Sequence, residues 1–517
     1  MSKHTSSYPL DYDCPPKHLS FHSYQEKYQN ISNLGNGSFG TVELAKYKFH
    51  KFDLLKLHEE KTGTLLHPLE DSKCNPSNLV AIKTMKKKLP LLQDYANVKE
   101  VKFILSIPSH PCLVQIFEMF IDDVQFQLHI TMEAMNQNLY QLIKSRRNIK
   151  FSSVTLRSIL SQLLCAIRHI HKWNYFHRDV KPENILVIPT LHFYGSKAVV
   201  PPYRKNDNFI IKLGDYGLAR HVSNTKPYTA YVSTRWYRSP EILLRQKWYS
   251  RPIDIWAFGA VAVEIANFVP LFPGTNELDQ IWKILRVLGS PFVPDPNVIS
   301  SNYVVPLGGY WNDAVFLANK LSMKIPYEPG MNVEDVIQHP DADSLQEIIQ
   351  NCLLWDPSAR IDANGLAQLQ YFKDTITMMD NYFENEPVSM NETINKLVGI
   401  PNSPSGRKLV SMTHTQRNIL NMPKNDYPLY QELEDGYENY FDQLVEDPCG
   451  DENIATSDGY KLISHSWMPK IHGVIDTEES RKEPRDLTNA NHEPSHIGSN
   501  KRSFTTFSLE SEEVTKL

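Results

Sequence analysis

The chain has 517 residues, 41% hydrophobic and 22% charged, enough apolar material for two or three core-forming units. Its net charge of −5 is spread along the sequence, which offers neither a basic footprint for nucleic acid nor a polybasic anchor for anionic lipid. The most apolar run, IWAFGAVAV at 255–263, falls well short of the ~20 residues a spanning helix needs, so it reads as a buried core helix and no membrane partner is expected. Cys14, Cys74, Cys112, Cys165, Cys352 and Cys449 are scattered with no C-x-x-C pair, which argues against a disulfide frame or zinc knuckle and fits a reducing, intracellular setting, nuclear or cytoplasmic.

Residues 1–27 are polar, with His, Tyr and Pro, and read as an N-terminal arm without a secretory signal. From about Tyr28 to Phe372 runs one patterned block, β-rich first and helical afterwards. LGNGSFGTVELA (34–45) sets Gly35, Gly37, Gly40 and Val42 between two strand-like runs, a spacing that lets a hairpin bring backbone N–H groups close to phosphate oxygens. Alone that signal is weak. Residues 46–79 then interrupt the pattern as a polar, Pro-containing surface insertion. VAIK (80–83) is a strand ending in Lys83, and Glu100 in the helical run DYANVKEVKFIL is the acid that could orient it. Taken singly, such a pair would be a surface ion pair of little consequence.

LVQIFEMF and QLHITMEAM continue the strands, and LRSILSQLLCAIRHIHK opens the helical part. HRDVKPENILV (177–187) then supplies Asp179 to receive or orient a hydroxyl proton, Asn184 to hold a metal, and Lys181 between them to stabilise a transferring phosphoryl group. Residues 188–209 form a second insertion, whose Arg204 and Lys205 read as a solvated loop. GDYG (214–217) gives Asp215, a hard carboxylate suited to Mg²⁺ on ATP phosphates, although Asp-Tyr-Gly by itself is also a common turn. After about residue 373 the chain turns rich in Asn, Ser, Pro, Glu and Lys, and mostly disorder is expected through 373–517. Within it YPLYQELEDGYENYFDQLVED (427–447) mixes aromatics with acids. It reads as a docking segment that folds on contact, as a short helix packed back on the domain, or as a sticky disordered stretch.

In this order and at these intervals the segments resemble the eukaryotic protein kinase family over roughly residues 28–372. The resemblance implies an α+β, bilobal fold, a small β-rich N-lobe and a larger helical C-lobe, with ATP and Mg²⁺ in the cleft between them. Leu34, Gly35, Asn36, Gly37, Ser38, Phe39 and Gly40 would cover the phosphates. Val42, Ala81 and Leu186 would sandwich the adenine, Met132 would be the gatekeeper, Glu133 to Met135 the hinge, and Asn138 a neighbour of the ribose. Lys83 and Glu100 would act as a pair, Asp179 and Lys181 as the catalytic groups, and Asn184 and Asp215 as the metal ligands. Lys181 within HRDVKPEN is similar to the serine/threonine class.

Departures are few: Tyr216 replaces the usual Phe and should stack with Ile104, Ile116 and His177 while its hydroxyl finds a partner. Ser239 replaces an Ala, and Glu241 should still pair with Arg360. By the same resemblance YTAYVSTRWYRSPE (228–241) is the activation loop, with Thr229 and Tyr231 as a phosphorylation switch read by Lys99, Arg178 and Arg220. Thr234 faces the substrate side and should bond Asp179 and Lys181. Arg238 and a helical insert near 276–291 mark the branch of cyclin-dependent and MAP kinases. Within that branch the chain resembles the male-germ-cell-associated group and the meiosis-inducing kinases of budding yeasts. That implies protein substrates among cell-cycle and transcription regulators, roles in meiotic entry and sporulation, an upstream activating kinase, no cyclin, no nucleic acid, and a monomer. The competing class is a scaffold that keeps the fold but acts through its inserts and tail.

Overall fold

The β-rich runs in the first third of the chain build a six-stranded sheet whose central strands Ile116–Ile121 and Leu128–Glu133 are buried on both faces. Its strands are β1 (Ser20–Phe21), β2 (Tyr28–Asn36), β3 (Gly40–Tyr47), β4 (Leu79–Met85), β5 (Ile116–Ile121) and β6 (Leu128–Glu133), in the order β1-β5-β6-β4-β3-β2. The structure is a computed structural model, and it describes residues 18–385 except 38–39, 49–63, 68, 70–77, 225–226, 229–233, 295–303 and 341, with side chains to 381. β1 runs parallel to β5 and the remaining pairs are antiparallel. Alternation sends Val80 and Ile82 of β4 into a cluster with Tyr28, Tyr47, Phe117 and Phe120. Ala81 turns the other way, into the main core with Val42 and Met132. The register sets Lys83 opposite Val42 and Ala81 opposite Met132, so the candidate cleft residues share one face.

The second part is helical. The helix Ser153–Lys172 buries most of its length, and Pro252–Asn267, which contains 255–263, is buried all round, as its apolar composition requires. Two small ribbons sit at the lobe junction. β7 (Gln137–Asn138), β9 (Ile185–Pro189) and β10 (Phe209–Leu213) form a sheet in the order β10-β9-β7, and β8 (Tyr175–Phe176) pairs with β11 (Arg220–His221). Among the described residues no helix is long and apolar enough to cross a membrane.

Four expectations are revised. The described part of the first insertion is anchored rather than loose: Leu65 and Leu66 are buried, and the Leu65 N–H donates to the Ile104 carbonyl at 2.9 Å. Lys46 and Tyr47 belong to β3 and Leu79 to β4, so the excursion leaves the sheet only after Tyr47. In the second insertion Lys205 is exposed as expected, but Arg204 is 1% exposed. Its guanidinium donates to Gln162 at 2.5 Å, meets Asp207 at 3.4 Å and lies 5.1 Å from the Tyr203 ring centroid. A buried guanidinium needs such partners, and composition could not reveal that Gln162, 42 positions away, supplies one. Third, order does not stop at Phe372: the helix Gln370–Asn385 continues it, burying Ile376 and Met379 and pairing Asp380 with Arg168. Last, the N-terminal arm contributes β1 and the buried Leu19. Residues 427–447 lie outside the described residues.

Candidate active site

Gly40 is where β3 crosses β4 most closely: a Cβ there would lie 2.4 Å from the Thr84 carbonyl oxygen, so the position admits only glycine. The Gly37 N–H closes the turn onto the Gly40 carbonyl at 2.9 Å, and the Lys86 ammonium donates to the Gly37 carbonyl at 2.7 Å. Leu34, Gly35 and Asn36 lie on β2 beside this turn, while Ser38 and Phe39 are outside the described residues.

Under that hairpin the buried Lys83 Nζ donates to Glu100 at 2.8 and 2.9 Å and to Asp215 Oδ1 at 2.9 Å. Glu100 reaches it from the first turn of the helix Lys99–Ser106, whose Val101, Phe103 and Ile104 are buried. Burial alone would lower the Lys83 pKa, but the Asp215 and Glu100 carboxylates outweigh it and raise the ammonium above its ordinary value. Burial likewise opposes ionisation of Asp215, and Lys83 overcomes it, holding that carboxyl at about 2. For Glu100 burial wins, with help from the Asp215 charge, so its carboxyl is raised despite Lys83. Asp215 keeps 24% of its side chain exposed, which leaves one flank open to the cleft.

The segment after β8 brings the second group. Asp179 Oδ2 accepts from the Asn184 amide at 2.7 Å and from Lys181 Nζ at 2.9 Å, and the same amide donates to the Asp179 carbonyl at 2.8 Å. Among the described residues Oδ1 of Asp179 is buried with no hydrogen-bond partner, an acceptor with capacity to spare. Burial works against the Lys181 charge, but Asp179 first and Asp215 more weakly keep its ammonium raised. The two groups are tied together by the Gly214 N–H on the Asn184 carbonyl at 2.9 Å and by His177 Nε2 on the Gly214 carbonyl at 3.0 Å. Arg178 (φ 72°) and Asp215 (φ 58°) both sit in the left-handed region that non-glycine residues avoid, strain that the surroundings must hold in place.

At Arg178 what holds it is Asp254, which sequence reasoning used only as the polar flank of the apolar run. Its carboxylate accepts the His177 N–H at 2.7 Å and the Arg178 N–H at 2.9 Å and meets His171 Nε2 at 2.9 Å. Burial opposes its ionisation, and the His171 bond keeps the carboxyl depressed. The available signal was a charged residue at the start of an otherwise apolar helix. Tyr216 stacks on Phe103 (centroids 4.7 Å apart, planes at 22°), a partner the sequence reading missed, and meets His177 edge-on at 6.2 Å. Its hydroxyl donates at 2.9 Å to the Leu213 carbonyl and lies 3.2 Å from that of Val114, while burial pushes the phenol pKa up.

Val42, Ala81, Met132, Met135 and Leu186 are all buried along the cleft, with Leu186 paired to Asn138. Glu133 turns away, binding Lys212 and the Gln115 N–H, each at 2.7 Å. Asn138 is 0% exposed, and its Oδ1 accepts the Gln141 N–H at 2.8 Å, so it caps the helix Leu139–Ser145.

Of the three cations assigned to a phosphate, Arg178 is buried against Tyr249 (2.7 Å) with its guanidinium 5.3 Å from the Tyr228 ring centroid, and Arg220 pairs in register with Phe176. Lys99 begins the helix that carries Glu100. Thr229 and Tyr231 lie outside the described residues. Thr234 precedes the turn Arg235–Tyr237 and makes no bond to the unpartnered Asp179 oxygen. Arg238 reaches Glu277 at 3.7 Å, at the start of the helix Glu277–Leu288 that fills the expected insert. Arg360 and Glu241 form two parallel bonds of 2.7 Å.

The described residues contain no group of three or more His, Cys, Asp or Glu placed to hold a metal. Asp215 and Asn184 offer hard oxygen donors of the kind Mg²⁺ takes when phosphates complete its shell, and that chemistry fits these residues. A protein kinase domain profile matches residues 71–372. The chain belongs to the protein kinase domain family. This match begins beyond the glycine-rich hairpin, so the kinase reading of 34–45 rests on the geometry above.

The chain is 48% identical over 376 residues to the meiosis induction protein kinase IME2/SME1 of Saccharomyces cerevisiae, covering 72% of this chain and 58% of that one. It is 34% identical over 339 residues to the sporulation protein kinase mde3 of Schizosaccharomyces pombe (65% and 53%), and 30% identical over 414 residues to the serine/threonine-protein kinase MAK of Mus musculus (77% and 56%). The alignments thus span between about half and three fifths of each relative's length. A chain in the solved structure of the CAK complex of Chaetomium thermophilum bound to ATP-gamma-S superposes with a TM-score of 0.50 at 22% identity, covering 68% of this chain and 92% of that chain, a likeness of fold.

Proposed function

We propose that this kinase-family chain is an ATP-dependent protein serine/threonine kinase. The observation that supports it best is the convergence of Lys83, Glu100 and Asp215 with Asp179, Lys181 and Asn184 on one cleft, where Asp179 retains an unpartnered buried oxygen. When bound, ATP supplies the phosphoryl group and Mg²⁺ neutralises its charge. Lys83, kept cationic by its two carboxylates, grips phosphate oxygens, while Asp215 and Asn184 hold the metal. Asp179 orients the acceptor hydroxyl through Oδ1 and takes its proton as the new O–P bond forms and the bond to the departing ADP breaks. Lys181 stabilises the charge on the transferring group.

The likeness to the meiosis induction and sporulation kinases supports a role in meiotic entry and sporulation, with cell-cycle and transcription regulators as substrates. Thr229 and Tyr231 act as the switch, phosphorylated by an upstream kinase and read by Lys99, Arg178 and Arg220. The unit works as an intracellular monomer without a cyclin, with the inserts and the segment beyond Asn385 around it. Replacing Thr229 by Ala and Tyr231 by Phe lowers turnover of the phosphorylated enzyme by about tenfold or more through loss of loop order. Equal turnover of variant and phosphorylated wild type would refute the switch. The decisive experiment incubates the purified chain with labelled ATP, Mg²⁺ and an arrayed peptide library. Serine- or threonine-containing peptides become labelled, and Asp179→Asn loses about 10²- to 10⁴-fold of the rate. Labelling at the wild-type rate by the variant would overturn the role given to Asp179, whereas a catalytically dead chain that keeps its biological function would favour the scaffold reading.

A further inference from the structure

The helix Glu277–Leu288 presents an apolar stripe that phosphoryl transfer does not use. Leu278 is 65% exposed and Trp282, one turn on, 40% exposed, while Ile281 and Leu285 are buried beneath them. Met323 and Ile325 form the facing wall of a groove of about 700 Å³. A groove with two large apolar side chains one turn apart is the form in which an amphipathic helix is received, and a half-exposed Trp is the residue type that anchors such contacts.

The carboxylates beside the groove are already committed. Asp279 accepts from the Thr275 N–H at 2.8 Å and from its hydroxyl at 3.0 Å, and Glu277 binds Arg245 at 3.2 Å and Arg238 at 3.7 Å. Lys324 lines the rim, Lys283 lies close enough for its charge to act on Asp279, and Arg286 stands one turn beyond Trp282. The edge therefore favours an acidic partner.

The chain contains a segment of that chemistry. In YENYFDQLV, Tyr437, Tyr440, Phe441, Leu444 and Val445 fall at i, i+3, i+4, i+7 and i+8, one face of a helix, and residues 427–447 carry seven Asp and Glu and no Lys or Arg. About fifty residues separate Asn385 from Tyr437, and a random coil of that many residues has a root-mean-square span of about 40 Å. A folded domain of this size has a radius of gyration of about 20 Å, so the groove is within the tether's reach. We propose that residues 437–445 dock in cis, as an amphipathic helix, in the groove between Glu277–Leu288 and residues 323–326.

The test uses the full chain, the full chain carrying Tyr440→Ser, Phe441→Ser and Leu444→Ser, and a fluorescein-labelled peptide of residues 427–447. The tethered segment competes at an effective concentration of order millimolar, so the peptide binds the tail variant at least about tenfold more tightly than the wild type. Adding Leu278→Ser and Trp282→Ser abolishes that binding, and Lys324→Glu alone weakens it severalfold without touching the core. Amides of Glu277–Leu288 exchange more slowly in the wild type than in the tail variant. Absence of peptide binding to the tail variant, binding that survives the groove substitutions, or identical amide exchange in the two chains would overturn the proposal. So would protection that rises with protein concentration alongside a doubled mass in light scattering, since the occupant would then be a second copy.

Discussion

Asp254→Asn removes the anchor of the catalytic segment while leaving every proposed nucleotide contact in place. The carboxylate accepts two backbone N–H groups, from His177 at 2.7 Å and Arg178 at 2.9 Å, and meets His171 at 2.9 Å. Hydrogen bonds to a charged group contribute about 1.5–3 kcal/mol each. Whichever way the asparagine amide turns, its NH₂ faces a backbone N–H, so one bond is lost, the other is no longer charge-assisted, and a buried donor is left unsatisfied. A loss of about 3–5 kcal/mol follows. At about 2–4 °C per kcal/mol for a domain of this size, the melting temperature falls by about 6–20 °C. The left-handed Arg178 (φ 72°) loses the bond that holds it, and Asp179 follows it in the chain. Turnover therefore falls at least about tenfold while KM for ATP stays within about threefold, because Lys83, Glu100 and the glycine hairpin are untouched. Calorimetry and steady-state kinetics on the purified variant check both parts. A melting temperature within about 2 °C of wild type, or a loss confined to KM for ATP, would refute the reasoning.

Two further substitutions probe buried charge. Glu241→Gln leaves the Arg360 guanidinium buried without its counter-charge and destabilises by about 3–5 kcal/mol, whereas the pair Glu241→Leu with Arg360→Met recovers most of that loss; urea unfolding of the three proteins checks this. Glu264 is buried on Pro252–Asn267, and burial pushes its carboxyl up to about 8, the nearby Glu183 adding to the shift and the 2.7 Å bond from Tyr237 opposing it. An unfolded Glu ionises near pH 4.3 while the folded group keeps its proton, so its stabilisation is full below about pH 4 and is lost as pH rises through about 8. Glu264→Gln removes that slope. Its melting temperature exceeds the wild type's by several degrees at about pH 7.5 and matches it near pH 4.5, and parallel pH profiles for the two proteins would contradict the assignment.

Short-range information in the chain was enough for the elements and the chemistry of the site. β-rich runs marked β4 to β6, apolar composition marked the buried helix around 255–263, and residue type at fixed spacing picked out Lys83, Glu100, Asp179, Lys181, Asn184 and Asp215. These are local properties: a strand's period, a helix's stripe and a carboxylate's affinity for hard cations can all be read a few residues at a time. Tertiary structure decided what each buried polar group was for. Arg204 looked solvated until Gln162 and Asp207 closed round it, and Asp254 looked like a flank until two backbone N–H groups from 76 and 77 residues away converged on it. The difference is physical. A buried charge or amide is tolerable only where its partners arrive, and those partners come from distant segments whose meeting no local pattern encodes.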